Sequence, residues 1–281
     1  MPKARFLIAT VLIAVLVPVL SPQNTRSEEP ASNEQAIERA ARLAVMQRSI
    51  AEYSLTIGAL AKPVELRKIP VLRFTNPIRG AADGGLFLWE HEGRPVALAC
   101  IYRSTDNIRW DHEFQTLSDL QITAIRANRI AWQPPASARF KVVPNVEPAS
   151  ETVAARRREA GEISRRFSVR LLGWGDMNRK NDELRLQDNP VHRWGDPNGP
   201  VVDGRMFLFG EATDPELALL LEAHRDGAKF VWKYAVARVT SAELSVRFDD
   251  QEVVAIPVWD HDPRPDQPYL TVFSQPEPAT N

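Results

Sequence analysis

Residues 83–89 read DGGLFLW, and 120 positions later residues 203–209 read DGRMFLF. Pairing residue i with i+120 holds without a gap from 64–103 to 184–223. Ten of these 40 pairs are identical: Leu66, Pro70, Val71, Arg73, Pro77, Asp83, Gly84, Phe87, Leu88 and Pro95 meet Leu186, Pro190, Val191, Arg193, Pro197, Asp203, Gly204, Phe207, Leu208 and Pro215. Unrelated sequence of ordinary composition gives roughly two or three. Phe74 with Trp194, Trp89 with Phe209 and Ile101 with Leu221 add conservative pairs. Two copies are too few for a solenoid, which needs three or more stacked repeats. The chain is therefore expected to hold two tandem similar units packed as a pseudo-two-fold pair.

Each unit begins with a helical pattern. Ser32 and Gln35 have capping-box spacing. Leu43, Met46, Ile50, Tyr53, Ile57 and Leu60 then recur at three- and four-residue intervals until Pro63, a narrow stripe on one helix face. The second helix, about 151–167, carries Val153, Ala160, Ile163 and Phe167 on one side. Arg156, Arg157, Arg158, Arg165 and Arg166 fill the remainder, which reads as a solvated face, with an anion or envelope-surface contact as the alternative. Strands follow. GLFLWEH with PVALACIY, and RMFLFGE with PELALLLEA, read as hairpins apolar on both faces, so both faces should be covered. KFVWKYAVARV alternates large and small residues, and LQITAIRANRIAW and LSVRFDDQEVVAIPVW read as closing hairpins. Turns this short make the sheets antiparallel. The expected class is α+β, each unit one helix followed by an antiparallel sheet of five or six strands.

The ends and composition bound the rest. Lys3 and Arg5 precede an apolar run from Phe6 to Leu20. Fifteen helical residues reach about 22 Å, short of a roughly 30 Å hydrocarbon core, so residues 1–21 read as an export signal; an uncleaved membrane anchor is the alternative. The expected division is then a linker at 22–32, a first unit at 33–133, a Pro-rich linker at 134–150, a second unit at 151–262 and a Pro-rich tail at 263–281. A formal charge of −1 offers no electrostatic footprint for nucleic acid. Cys100 is the single cysteine, so no intrachain disulfide is available.

Few residues point to chemistry. His91, His112, His192, His224 and His261 show no ligand spacing, and no metal or cofactor is expected. Asp260, His261 and Asp262 form the densest local cluster, although neighbours in an extended chain face opposite ways. Asp83-Gly84 and Asp203-Gly204 read as turn chemistry, and a carboxylate pair drawn from Asp83, Asp203 or Asp260 is what a hydrolase would use. His112 replaces the partner copy's Trp232 on an aromatic face and reads as a satisfied core histidine. Trp174, in the glycine-bearing stretch GWGDMNRKND, is the tryptophan expected at the surface. The candidate ligand-binding residues are Trp174, Asp260, His261 and Asp262.

The stretches LRLQDNPVHRW, DGRMFLFGEATDPELALLLEA and WKYAVARVTS resemble an uncharacterised family of exported bacterial proteins of planctomycete type. The resemblance runs from about residue 65 to 260 and is densest at Asp203-Gly204 with Thr213-Asp214-Pro215-Glu216, followed by Trp232 and Tyr234. That family has no established activity, so the resemblance carries over no catalytic residue. The expected function is non-catalytic binding or scaffolding in the cell envelope or outside the cell. The alternatives are a glycan- or lipid-binding module with a pocket between the units, and a hydrolase. The partner is an envelope component or a small ligand, its identity open.

Overall fold

The computed structural model describes residues 33–76, 81–104, 110–175 and 179–273. The expected signal segment, the linker after it and the end of the tail lie outside the described residues. Residues 1–38 group as one unit, described only at the start of α1, and residues 39–281 form the other. Among the described residues no helix is long and apolar enough to cross a membrane.

The expectation of two α+β units is corrected by the element content and by sheet membership. The described chain is mostly β, with only two helices, α1 (Asn33–Ala51) and α2 (Val153–Ser164), of 19 and 12 residues. Eight strands make the first sheet: β1 (Ser54–Ile57), β2 (Lys62–Asn76), β3 (Ala81–His91), β4 (Arg94–Ser104), β5 (Trp110–Thr116), β6 (Ile122–Arg126), β7 (Arg129–Trp132) and β18 (Tyr269–Phe273). Their order is β18-β5-β4-β3-β2-β1-β6-β7, antiparallel throughout. The later chain divides instead into two sheets. One is built on β13 (Val201–Glu211), β14 (Asp214–Asp226) and β15 (Lys229–Arg238), with β8 (Lys141–Val142), β11 (Arg185–Leu186) and β12 (His192–Trp194) at its margins. The other runs β10-β9-β16-β17, where β9 is Phe167–Gly173, β10 Arg179–Glu183, β16 Glu243–Phe248 and β17 Gln251–Ile256.

Two physical reasons account for the difference. The 15-residue β2 carries a bulge between Arg67 and Leu72 and so pairs with both β1 and β3, joining what the later chain keeps apart. Strand pairing also ignores the sequence halves. The Pro-rich tail supplies β18, which pairs with β5, and the Pro-rich linker supplies β8, which pairs with β15. Neither segment folds alone; each is ordered by offering backbone groups to a sheet edge. The eight-stranded sheet nearly closes, because the chain before β18 reaches the β7 edge: Trp132 Nε1 donates to the Gln267 carbonyl at 2.8 Å and the Gln133 N–H to the Pro265 carbonyl at 2.6 Å.

The first helix also ends sooner than its stripe. Tyr53, Ile57 and Leu60 continue the helical spacing, yet Leu55 and Ile57 equally fit an alternating strand, and β1 forms there with a buried–exposed alternation. α2 starts as its residues require: the Thr152 hydroxyl accepts the Ala155 N–H at 3.3 Å, an N-cap.

Both expected hairpins form with matching irregularities. β3–β4 and β13–β14 are bulged at equivalent places, between Ala81 and Asp83 and between Val201 and Asp203, then after Trp89 and after Phe209. Their two faces enter different cores. Phe87, Trp89, Ala99 and Ile101 point into the curled first sheet with Phe114, Trp132 and the α1 residues Met46 and Ile50. Phe207, Phe209, Leu219 and Leu221 meet Trp232, the β9–β16 sheet and Ile163 of α2. Leu86, Leu88, Leu98 and Cys100 pack against Met206, Leu208, Ala218, Leu220, Ala235 and Ala237. The small face of β15 is thus covered by the other sheet.

Candidate functional site

At one end of this sheet-to-sheet core the side chains turn polar and leave space. β4 carries Tyr102 near its end and β5 carries Glu113 on the face opposite His112; the Tyr102 hydroxyl donates to Glu113 Oε1 at 3.0 Å. Two cavities of about 180 and 400 Å³ share Tyr102, Glu113 and Ser241. The first is walled by Phe74, Trp174, Asp214 and Glu216. The second is walled by Trp259, His261, Thr271 and Phe273. Several elements contribute: the end of β2, the start of β14, the loop after β15, and β18.

The architecture places these groups firmly. The Thr75 N–H donates to Thr213 Oγ1 at 3.0 Å, and Asn76 Nδ2 donates to Asp214 Oδ2 at 3.1 Å, tying β2 to the turn before β14. Arg238 holds the following loop through the Thr240 and Ala242 carbonyls, at 2.7 and 2.6 Å. Trp174 Nε1 donates to Ser241 Oγ at 3.0 Å, and the Trp259 N–H to the Ser241 carbonyl at 2.9 Å. The Trp259 ring lies 4.9 Å from His261 and 5.3 Å from Tyr269.

Burial, and then the negative charge of Asp214, raises the Glu113 carboxyl to about 8. At neutral pH Glu113 therefore holds its proton and can donate as well as accept. Burial and the same carboxyl push Tyr102 well above the usual phenol range. Among the described residues no three histidine, cysteine or acidic side chains are placed to hold a metal ion.

Trp174 and His261 come together on this cleft, one in each cavity, with Trp174 half-buried. Asp260 and Asp262 do not join them. Asp260 Oδ1 accepts the Asp262 N–H at 3.1 Å, and Asp262 in turn accepts from the Arg264 N–H and Nε at 3.0 and 2.6 Å. These two carboxylates shape the loop that carries His261. Asp83 and Asp203 are held by guanidinium groups and lie away from the cleft. Asp83 accepts from Arg42 Nε at 2.8 Å and from Arg73, whereas Asp203 accepts from Arg205 at 3.0 Å and Arg156 at 3.4 Å.

The glycines beside those aspartates correct the turn reading. Gly84 and Gly204 lie inside β3 and β13, directly across from Phe74 and Trp194. A Cβ on Gly84 would stand 2.4 Å from the Phe74 ring, and one on Gly204 2.1 Å from the Trp194 ring. Each glycine is a seat for an aromatic ring. The aromatic that precedes each Asp-Gly by nine residues was the legible signal.

His112 is fully buried, with Ser49 Oγ at 2.9 Å from Nε2 and Tyr53 Oη at 2.9 Å from Nδ1. Burial, then the charge of Arg126, lowers it to about 4. The sequence reading gave no site role to Tyr102 or Glu113, nor to Asp214 and Glu216, which it named only as part of a motif. For Glu113, an acid on the reverse of a two-sided strand was the available sign.

No family model matches the chain, and no curated protein or solved structure matches it significantly.

Proposed function

We propose that the protein is a non-catalytic binding module whose Tyr102–Glu113 cleft takes a neutral, hydroxyl-rich ligand of saccharide size. The observation that carries this reading is the Glu113 carboxyl, bonded by the Tyr102 hydroxyl, at the junction of two aromatic-walled cavities. Apolar walls with a few convergent polar groups are how small-ligand sites are built. Indole faces suit the C–H faces of sugar rings, while Glu113, Asp214 and Ser241 supply donors and acceptors for hydroxyls. The basic start and apolar run of residues 1–21 support action in the envelope or outside the cell.

Tryptophan fluorescence provides the test, because Trp174 and Trp259 line the cleft. Titration with glucose, N-acetylglucosamine and their disaccharides should give a saturable change, and Trp174→Ala should weaken binding about tenfold, or about 1.4 kcal/mol. Affinity unchanged in that variant, or no saturable signal across the panel, would reject the cleft as a saccharide site. A raised carboxyl beside a second acid also suits general-acid chemistry. Bond cleavage in the same panel, abolished by Glu113→Gln, would replace binding with hydrolysis.

A further inference from the structure

The later half of the chain keeps the aspartate of the earlier half but redistributes its arginines. In the earlier half Arg73 on β2 pairs with Asp83 on β3, and Arg42 of α1 completes the cluster. In the later half the matching Asp203 is taken by Arg156 of α2 and by Arg205, which stands where the earlier half has Gly85. Arg193, the counterpart of Arg73, makes no hydrogen bond or ion pair among the described residues. It also lies directly across the strand pair from Arg205. Like charges in that position repel.

Arg205 is itself only 4% exposed, and its Nε has no hydrogen-bond partner. Partial burial, followed by the charges of Arg205 and Arg157, lowers the pKa of Arg193. Above the pair lies a cavity of about 280 Å³, roofed by α2 and flanked by the turn at Asp188 and Asn189. From α2 and its C-cap come Arg157, Arg158 and Arg165, with Gly161 between them. A glycine inside a helix costs roughly 0.5–1 kcal/mol relative to alanine. Here it keeps the cavity open, since a Cβ would meet nothing nearer than the Arg165 guanidinium at 3.9 Å. Five guanidinium groups thus face two carboxylates, and Glu162, one of those two, is paired with Arg158 at 3.7 Å.

We infer that this cavity binds an oxyanion of the phosphoryl or sulfuryl class, clamped between Arg193 and Arg205. Planar guanidinium forks match such groups in bidentate fashion. An anion here would separate the facing arginines and supply the missing acceptor for Arg205. Arg157, Arg158 and Arg165, read from sequence as part of a solvated face or an anion contact, become the wall of a site.

Calorimetric titration of the full chain at constant ionic strength tests this, with inorganic phosphate, sulfate and pyrophosphate as probes and chloride as the control. Saturable binding is expected, weakened about tenfold by Arg193→Gln. Gly161→Leu, which fills the cavity while raising helix propensity, should abolish binding without lowering the unfolding temperature. Vesicles of phosphatidylglycerol in phosphatidylcholine separate the sources: binding to them alone, lost in both variants, assigns the oxyanion to a lipid headgroup. Binding by neither probe set, an equal response to chloride, or affinity unchanged in both variants would overturn the site.

Discussion

The two ends of the core between the eight- and six-stranded sheets have the same backbone register and opposite chemistry. At the closed end Glu222 is fully buried and accepts four hydrogen bonds. Two come from Arg94, at 2.8 and 3.2 Å, one from Trp194 Nε1 at 3.0 Å and one from His224 Nε2 at 2.8 Å. Burial alone would raise its pKa, but the bond from His224 and the charge of Arg94 bring it below the usual value. At the open end the position 120 residues before Glu222 is Tyr102, and the position 120 residues after Arg94 is Asp214. A cation has become an anion. Among the described residues no guanidinium is bonded to Glu113, and burial with the charge of Asp214 raises its pKa. Two replacements, Tyr102 for Glu222 and Asp214 for Arg94, therefore separate a sealed joint from a candidate binding site.

The sharpest way to break this comparison is Arg94→Ala. It leaves Glu222 charged in a buried setting, which should cost about 3–5 kcal/mol in chemical denaturation. A loss below about 1 kcal/mol would mean that the closed end is not held by that pair. Gly204→Ala should follow, at about 1–3 kcal/mol, because the new methyl group pushes the Trp194 ring off its seat and away from Glu222. Its counterpart Gly84→Ala moves Phe74, which bears no hydrogen bond; denaturation of the two variants side by side should show the larger loss at Gly204.

The smallest effect is a slope with pH. Glu113 is raised to about 8 from a usual value near 4.5. The folded state therefore holds this proton more tightly than the unfolded chain. Its contribution to stability is complete below about 4.5 and is lost as pH rises toward 8, at most about 1.4 kcal/mol per pH unit. His112, on the opposite face of β5, has its pKa lowered from 6.5 to about 4. Its contribution is present above 6.5 and lost as pH falls through 4. The two slopes oppose one another between about 4.5 and 6.5, and Glu113 acts alone from there to 8. Unfolding free energies measured across pH 6.5–8 should flatten in Glu113→Gln; an unchanged slope would place the titrating group elsewhere.

Legibility differed sharply from one element to the next. The β3–β4 and β13–β14 hairpins were readable to their two-sided burial, because apolar runs and short turns act over neighbouring residues. The closing turns were readable too. Ala127-Asn128 and Asp249-Asp250 both take positive φ, as two-residue hairpin loops demand. The end of α1 was not readable, since Leu55 and Ile57 satisfy helical and strand periods together. Nor was the seat at Gly84 and Gly204, where the constraint comes from a ring on the neighbouring strand. Of the cleft, Trp174 and His261 could be picked as polar-edged residues near loops. Glu113 could not, because an acid in a strand declares its protonation only when its neighbours in space are known.

The order of residues along this chain settles its repeated hairpins and their antiparallel pairing, because those depend on contacts a few residues long. Long-range assembly settles everything that gives the molecule a site. Which edge the tail strand joins, whether an arginine or an aspartate meets the end of the sheet core, and whether Glu113 keeps its proton all turn on groups far apart in the chain. Local preference has no term for a charge that arrives from another sheet.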